Sequence, residues 1–222
     1  MGVVSSARLR RDAQRPIVTQ GSSGITESSS NLANRWVATE SASSGPKIRY
    51  TGRRYAARVT IEIRRASVQD WPAVWPIWQA IVAAQETYMY DPFTPSEQAQ
   101  RIWFPDAPAE TWLAVDDLGS IVGTYYLKPN APGPGSHVAN AGFMVGPAAR
   151  GAGIGRLMAE HCLARARECN YLAMQFNAVV ATNEGAIRLW QSLGFEIVGT
   201  VPQAFRHRTA GTVDIHIMHR PL

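Results

Sequence analysis

The spacing of apolar and polar positions changes at residue 59. Residues 59–64 read Val-Thr-Ile-Glu-Ile-Arg, β-branched and polar side chains in alternation, which predicts a half-buried strand. Ser67-Val-Gln-Asp70 then has the form of a capping box and predicts a helix start. Pro72 suits the first turn of that helix, whereas Pro76 lies deeper, where a kink or a restart is expected. Trp71, Trp75 and Trp78 recur at i, i+4 and i+7, the buried stripe of an amphipathic helix rather than an aromatic binding wall. Thr94-Pro-Ser-Glu97 opens a second, short helix that ends near Trp103.

Residues 111–115 and 121–127 predict two strands joined by Asp116-Asp117-Leu-Gly119-Ser, a hairpin turn. A Pro/Gly loop from Pro129 to Gly135 leads to an apolar strand over 138–145. A helix follows over 153–168, a strand over 172–179, a helix over 183–192, and closing strands over 195–201 and 213–219. The order is mixed α/β. The 153–168 helix has the length that a parallel crossover requires, so one parallel pair is expected in a mixed, mostly antiparallel sheet flanked by helices. No run of about 18 apolar residues occurs, so no spanning helix and no membrane partner are expected.

Before residue 59 the pattern is lost. Ser, Gly and Arg dominate, with Gly-Ser-Ser-Gly at 21–24 and three serines at 28–30. Such a stretch buries too little apolar surface to offset ordering, which predicts a disordered basic tail over 1–58 and a single domain over 59–222. Charge follows the same division. The whole chain carries +5, but residues 1–58 hold ten Lys/Arg against three acids, a surplus of +7 that leaves −2 for 59–222. The basic balance therefore belongs to the tail, and no nucleic-acid partner is expected for the domain. For the tail itself three readings compete with plain disorder. Its Arg/Ser-rich, acid-poor composition fits an organelle transit peptide, and Met-Gly-Val-Val-Ser-Ser fits an N-myristoylation start. Trp36, Tyr50 and Tyr55 among the arginines fit a weak nucleic-acid arm. Cys162 and Cys169, seven apart on one predicted helix, suit neither a disulfide scaffold nor a metal site, which points to a reducing, cytoplasmic setting without metal.

The stretch richest in chemistry is Phe143-Met-Val-Gly-Pro-Ala-Ala-Arg150-Gly-Ala-Gly153-Ile-Gly155-Arg156. It is a strand, a short loop, and a glycine-rich turn that opens into a helix. A helix start presents unpaired N–H groups and partial positive charge, glycines let a ligand approach the backbone, and Arg150 and Arg156 add cationic donors. The expected ligand is an anion such as a pyrophosphate. A Walker A loop is excluded because no Gly-Lys-Ser/Thr occurs. The dinucleotide fingerprint fails too, since its third glycine would fall at Arg156 or Met158.

Arg150-x-x-Gly153-x-Gly155 instead resembles the coenzyme A pyrophosphate loop of the Gcn5-related N-acetyltransferase (GNAT) family. A second match lies downstream, in Asn183-Glu-Gly-Ala-Ile-Arg-Leu-Trp190-Gln-Ser-Leu-Gly194-Phe195, an Asn-capped helix ending in Gly-Phe. The resemblance spans 59–222 and implies acetyl-CoA as cosubstrate and an amine as acceptor. It implies that a backbone N–H where the 138–145 strand ends, of Phe143 or Met144, binds the acetyl carbonyl, and that Val145 beside them also contacts the cofactor. Arg150, Gly151, Gly153, Gly155 and Arg156 would then hold pyrophosphate, and Asn183 the pantetheine arm. Glu86 falls where some amine-acetylating relatives keep a carboxylate near the substrate. His137, His216 and His219 read as structural.

Many members carry a Tyr where this chain has Trp190, and that Tyr is their candidate acid. An indole cannot serve, so the role does not transfer. Gly123-Thr-Tyr-Tyr-Leu-Lys128-Pro-Asn, Ser136-His-Val-Ala-Asn140-Ala-Gly-Phe, Phe176-Asn177 and the Trp190 segment are similar to the fungal L-azetidine-2-carboxylate acetyltransferases. That narrower resemblance implies a proline-like secondary amino acid as acceptor, with Asn140, Asn177 and Asn183 holding substrate and cofactor. Other amines remain open, among them a phosphinothricin-like xenobiotic and a protein N-terminus. A non-catalytic acyl-CoA-binding module, a nucleic-acid role through the tail and a homodimer remain open as well.

Overall fold

The structure, a computed structural model, describes residues 37–40, 48–54 and 57–222, with the backbone alone up to residue 59. Strand β1 (Val37–Glu40) pairs antiparallel with β2 (Ile48–Arg54), which pairs antiparallel with β3 (Ala57–Arg65). The alternating segment at 59–64 thus forms the strand it predicts. β1 and β2 lie where the hydrophobic pattern predicts none, in the segment read as a disordered tail. Both are held by main-chain hydrogen bonds, which need no apolar alternation and leave little signal in the sequence. The readings of the tail as a targeting or acylated segment fall on its start, outside the described residues, as do Trp36 and Tyr55 of the nucleic-acid reading, whereas Tyr50 lies in β2.

A short 3₁₀ turn at Val68–Asp70 leads into helix α1 (Trp71–Ala83), and α2 (Ser96–Trp103) follows. The Asp70 carboxylate accepts the Ser67 backbone N–H at 2.8 Å, one half of the expected capping box, and it is also paired with Arg64. α1 runs unbroken through Pro76, so no restart occurs. Hairpin β4 (Glu110–Val115) and β5 (Ile121–Pro129) is followed by β6 (Val138–Val145), the crossover helix α3 (Ile154–Glu168) and β7 (Ala173–Val180). Helix α4 (Glu184–Ser192), β8 (Glu196–His207) and β9 (Gly211–Pro221) complete the chain.

Among the described residues nine strands form one sheet in the order β1-β2-β3-β4-β5-β6-β7-β9-β8. The pair β6–β7 is parallel, as the crossover length predicts, and the others are antiparallel. Side chains alternate across this sheet and divide the core in two. Trp112, Tyr125, Leu127 and Ala141 pack against Leu157, Met158 and Cys162 of α3. Leu113, Tyr126 and Met144 pack on the other face, under Trp71, Val74 and Trp78 of α1 and Trp103 of α2. The tryptophan stripe of α1 is therefore core. Among the described residues no helix is long and apolar enough to cross a membrane.

Candidate active site

Strands β6 and β7 run together for two residue pairs, Val138 with Ala173 and Ala139 with Met174. Asn140 comes next on β6. Its Nδ2 donates to the Gln175 carbonyl at 2.8 Å, and its Oδ1 lies 3.4 Å from the Tyr126 hydroxyl. A side chain thus makes the last link between the strands. Beyond it β7 continues along β9, with an irregularity between Phe176 and Val179, while β6 keeps only β5 as a partner. The strands part, and a cleft of about 730 Å³ opens between them.

Main-chain direction on β6 decides which groups look into the cleft. The Val138 carbonyl accepts the Asn130 N–H on the β5 side, and the His137 carbonyl accepts the Leu172 N–H on the β7 side. Strand alternation then turns Ala141, Phe143 and Val145 toward the cleft and Met144 toward β5. The Phe143 carbonyl accepts the Tyr88 hydroxyl at 2.8 Å, which leaves its own N–H as a cleft-facing donor. Phe143 and Val145 line the cleft. Met144 does not: its side chain is 1% exposed under α1, and its main chain faces β5.

At one end of the cleft lies the glycine-rich turn. Gly151 and Gly153 have φ of +75° and +81°, a region that disfavours any residue with a Cβ. The first intrahelical bond of α3 runs from Leu157 N–H to Gly153 C=O, so the amides of Ile154, Gly155 and Arg156 lack intrahelical acceptors. Arg150, Gly151, Gly153 and Gly155 all line the cleft there. This arrangement fits an anionic diphosphate. Arg156 turns away, bonding Ser192 Oγ at 2.6 Å and lying 3.5 Å from Glu160, because its place on α3 faces α4 rather than the turn.

Asn183 lines the cleft between the turn and Trp190, and its Oδ1 caps α4 by accepting the Ala186 N–H at 3.2 Å. Trp190 is 8% exposed and packs against Phe143, Phe176 and Phe195, an apolar setting with no acid in it. Asn177 also lines the cleft, but its amide is committed to Asn130 Oδ1 at 2.7 Å and to Gln175 Nε2 at 2.8 Å. Glu86 lines the far end, exposed, in the turn after α1. The Arg208 N–H steadies that turn by donating to the Gln85 carbonyl at 3.2 Å. None of His137, His216 and His219 lines the cleft.

The far end holds groups that the sequence reading missed: Tyr88, Tyr90, Tyr126 and Lys128. The Tyr-x-Tyr beside Glu86 was the available signal. Burial pushes the Tyr88 phenol well above the usual range, with Tyr126 and Tyr90 adding to it. Burial likewise raises Tyr126, and it raises Tyr90 less freely because a hydrogen bond from Tyr126 opposes it. At neutral pH all three are donors and not acids.

Residues 78–195 match the sequence model of the acetyltransferase (GNAT) family. The N-acetyltransferase aca1 of Schizosaccharomyces pombe is 40% identical over 112 residues, half of this chain, and the match spans about half (54%) of that relative's length. A solved GCN5-related N-acetyltransferase from Kribbella flavida is 49% identical with a TM-score of 0.71, covering 73% of this chain and 98% of that one. The structure of yncA from Salmonella typhimurium with acetyl-CoA is 21% identical with a TM-score of 0.66, covering 73% of this chain and 94% of that one, a likeness of fold.

Proposed function

Because the chain belongs to the acetyltransferase (GNAT) family, we infer that its cleft transfers the acetyl group of acetyl-CoA to a small amine, with a proline-like cyclic secondary amino acid as the favoured acceptor. One observation carries this reading: a single cleft joins the glycine-rich turn at α3 to a pocket walled by Tyr88, Tyr90 and Tyr126. The first end suits a diphosphate and the second a compact, partly apolar acceptor. When bound, acetyl-CoA supplies an activated thioester for attack by the acceptor nitrogen.

The chain's own residues then have separable tasks. The amides of Ile154 and Gly155, with Arg150, would hold the diphosphate, and Asn183 the amide-bearing arm. The Phe143 N–H would stabilise negative charge developing on the acetyl oxygen, a donor of a kind typically worth about 3 kcal/mol. Glu86 would accept the proton that the amine must lose, directly or through water. Trp190 closes the apolar side and supplies no proton. Asn140 acts first as a spacer, fixing where β6 and β7 part, so it shapes the acceptor pocket through Gln175 and Tyr126 rather than standing free to grip a ligand.

Thiol release from acetyl-CoA, measured against a panel of azetidine-2-carboxylate, proline analogues, phosphinothricin, spermine and a short peptide, tests the reading. Cyclic secondary amino acids should be the best acceptors. Robust turnover of spermine or peptide with none of any cyclic amino acid would overturn the acceptor assignment.

A further inference from the structure

Resting on that reading, we propose that Lys128 selects acceptors bearing a free carboxylate. Among the described residues three charged side chains line the cleft: Glu86, Lys128 and Arg150. Arg150 stands at the glycine-rich turn, so the acceptor end holds one acid and one cation. An amino acid presents the complementary pair, one amine and one carboxylate.

Placement supports this division. Lys128 is the cross-strand partner of Asn140, the residue at which β6 and β7 begin to part. Its ammonium lies 5.4 Å from the centroid of the Tyr126 ring, whose hydroxyl reaches toward Asn140. Lys128 is half-buried, and no carboxylate among the described residues lies within ion-pair distance of it. An ammonium partly removed from water without a counter-charge favours an incoming anion. A polyamine would bring like charge against it, and a peptide-borne amine would bring only neutral amides. Lys128 therefore sorts acceptors by charge, with the amine left toward Glu86.

Steady-state thiol release with azetidine-2-carboxylate, its carboxamide and azetidine tests the assignment. For the unaltered protein kcat/KM should fall about ten- to a hundredfold from acid to amide, the effect of one charge-assisted hydrogen bond. Lys128→Met should bring the acid down to the level of the amide while leaving the amide and the KM for acetyl-CoA near their original values. Lys128→Arg should keep most of the preference. A preference that persists in Lys128→Met, or its absence from the unaltered protein while turnover is brisk, would overturn the role of Lys128 alone. No turnover of any of the three, with coenzyme A binding intact by calorimetry, would overturn the parent reading and this one with it.

Discussion

Tyr88 donates its hydroxyl hydrogen to the main-chain carbonyl of Phe143 at 2.8 Å, tying the segment after α1 to the strand that borders the cleft. This bond does the work of a missing strand partner. It satisfies a carbonyl that β7 no longer reaches and keeps the Phe143 N–H free for a ligand. Tyr88→Phe would leave that carbonyl without its donor, at a cost of about 1–3 kcal/mol. We expect the melting temperature to drop by about 2–10 °C and kcat/KM for the amine to fall about tenfold. Coenzyme A affinity should stay within about twofold. Unchanged kinetics would mean that the Phe143 amide is not held in place by Tyr88.

The diphosphate end gives a second expectation. Arg150→Ala should weaken coenzyme A binding by about ten- to a hundredfold, the scale of a lost charge-assisted bond. Gly153→Glu should weaken it further, because it sets an acid against phosphate at a φ of +81°. Glu86→Gln, at the opposite end, should leave that affinity nearly unchanged while lowering kcat. Isothermal titration of the three variants separates the two ends of the cleft. Equal losses in all three would contradict the division.

These features were unequally legible in the sequence. Period-2 and period-3.6 spacing, with capping residues for α2, predicted every element from β3 onward, because strands and helices alike bury one face in the core. Gly151, Gly153 and Asn183 stand out in the sequence because backbone conformation and capping restrict residue type locally. The acceptor pocket was less visible. Tyr126 and Lys128 sit in an ordinary strand pattern, and only the pairing of β5 with β6 sets Lys128 beside Asn140. Asn140 is a candidate from the sequence, but its bond to Gln175 depends on where β6 and β7 part, a property of register that no local motif encodes. Met144 enters the candidate set through the family resemblance and Arg156 because it flanks the glycine-rich turn, and strand alternation and helix phase turn both away from the cleft.

Acid sensitivity should trace to a group outside the cleft. His161 on α3 is 5% exposed, its Nδ1 2.5 Å from the Tyr125 hydroxyl and its ring against Trp112. Burial lowers its pKa from 6.5 to about 4, with Arg165 acting in the same direction and Glu168 and Glu110 opposing. The unfolded chain therefore takes up a proton near pH 6.5 that the folded chain refuses until about pH 4. Stability is full above that range and declines as pH falls through it, by about 2–3 kcal/mol between pH 7 and 4.5. Asp70 and Glu110, held below the usual carboxylate range by their arginine partners, add their own losses at lower pH. Denaturant midpoints for His161→Gln should show a much shallower decline from pH 7 to 5. An undiminished slope would assign the acid sensitivity to other groups.

The replacement of a family tyrosine by Trp190 yields the last expectation. If a phenol at that place were all that efficient turnover lacked, Trp190→Tyr would raise kcat. The surroundings argue otherwise. The indole fills a space among Phe143, Phe176 and Phe195, with ring centroids at 5.1, 4.7 and 6.1 Å. A smaller ring there leaves a void, and its hydroxyl enters an apolar cluster where burial raises a phenol's pKa and weakens it as an acid. The variant should lose about 1–3 kcal/mol of stability. Its kcat should not exceed that of the unaltered protein at any pH between 6 and about 9.5, and no new ionisation should enter the kcat–pH profile. Parallel thermal melts and pH–rate profiles decide the matter. A rise in kcat of tenfold or more, with a new alkaline limb, would show that a phenolic acid works at this position and that the chain's own proton donor lies close to it.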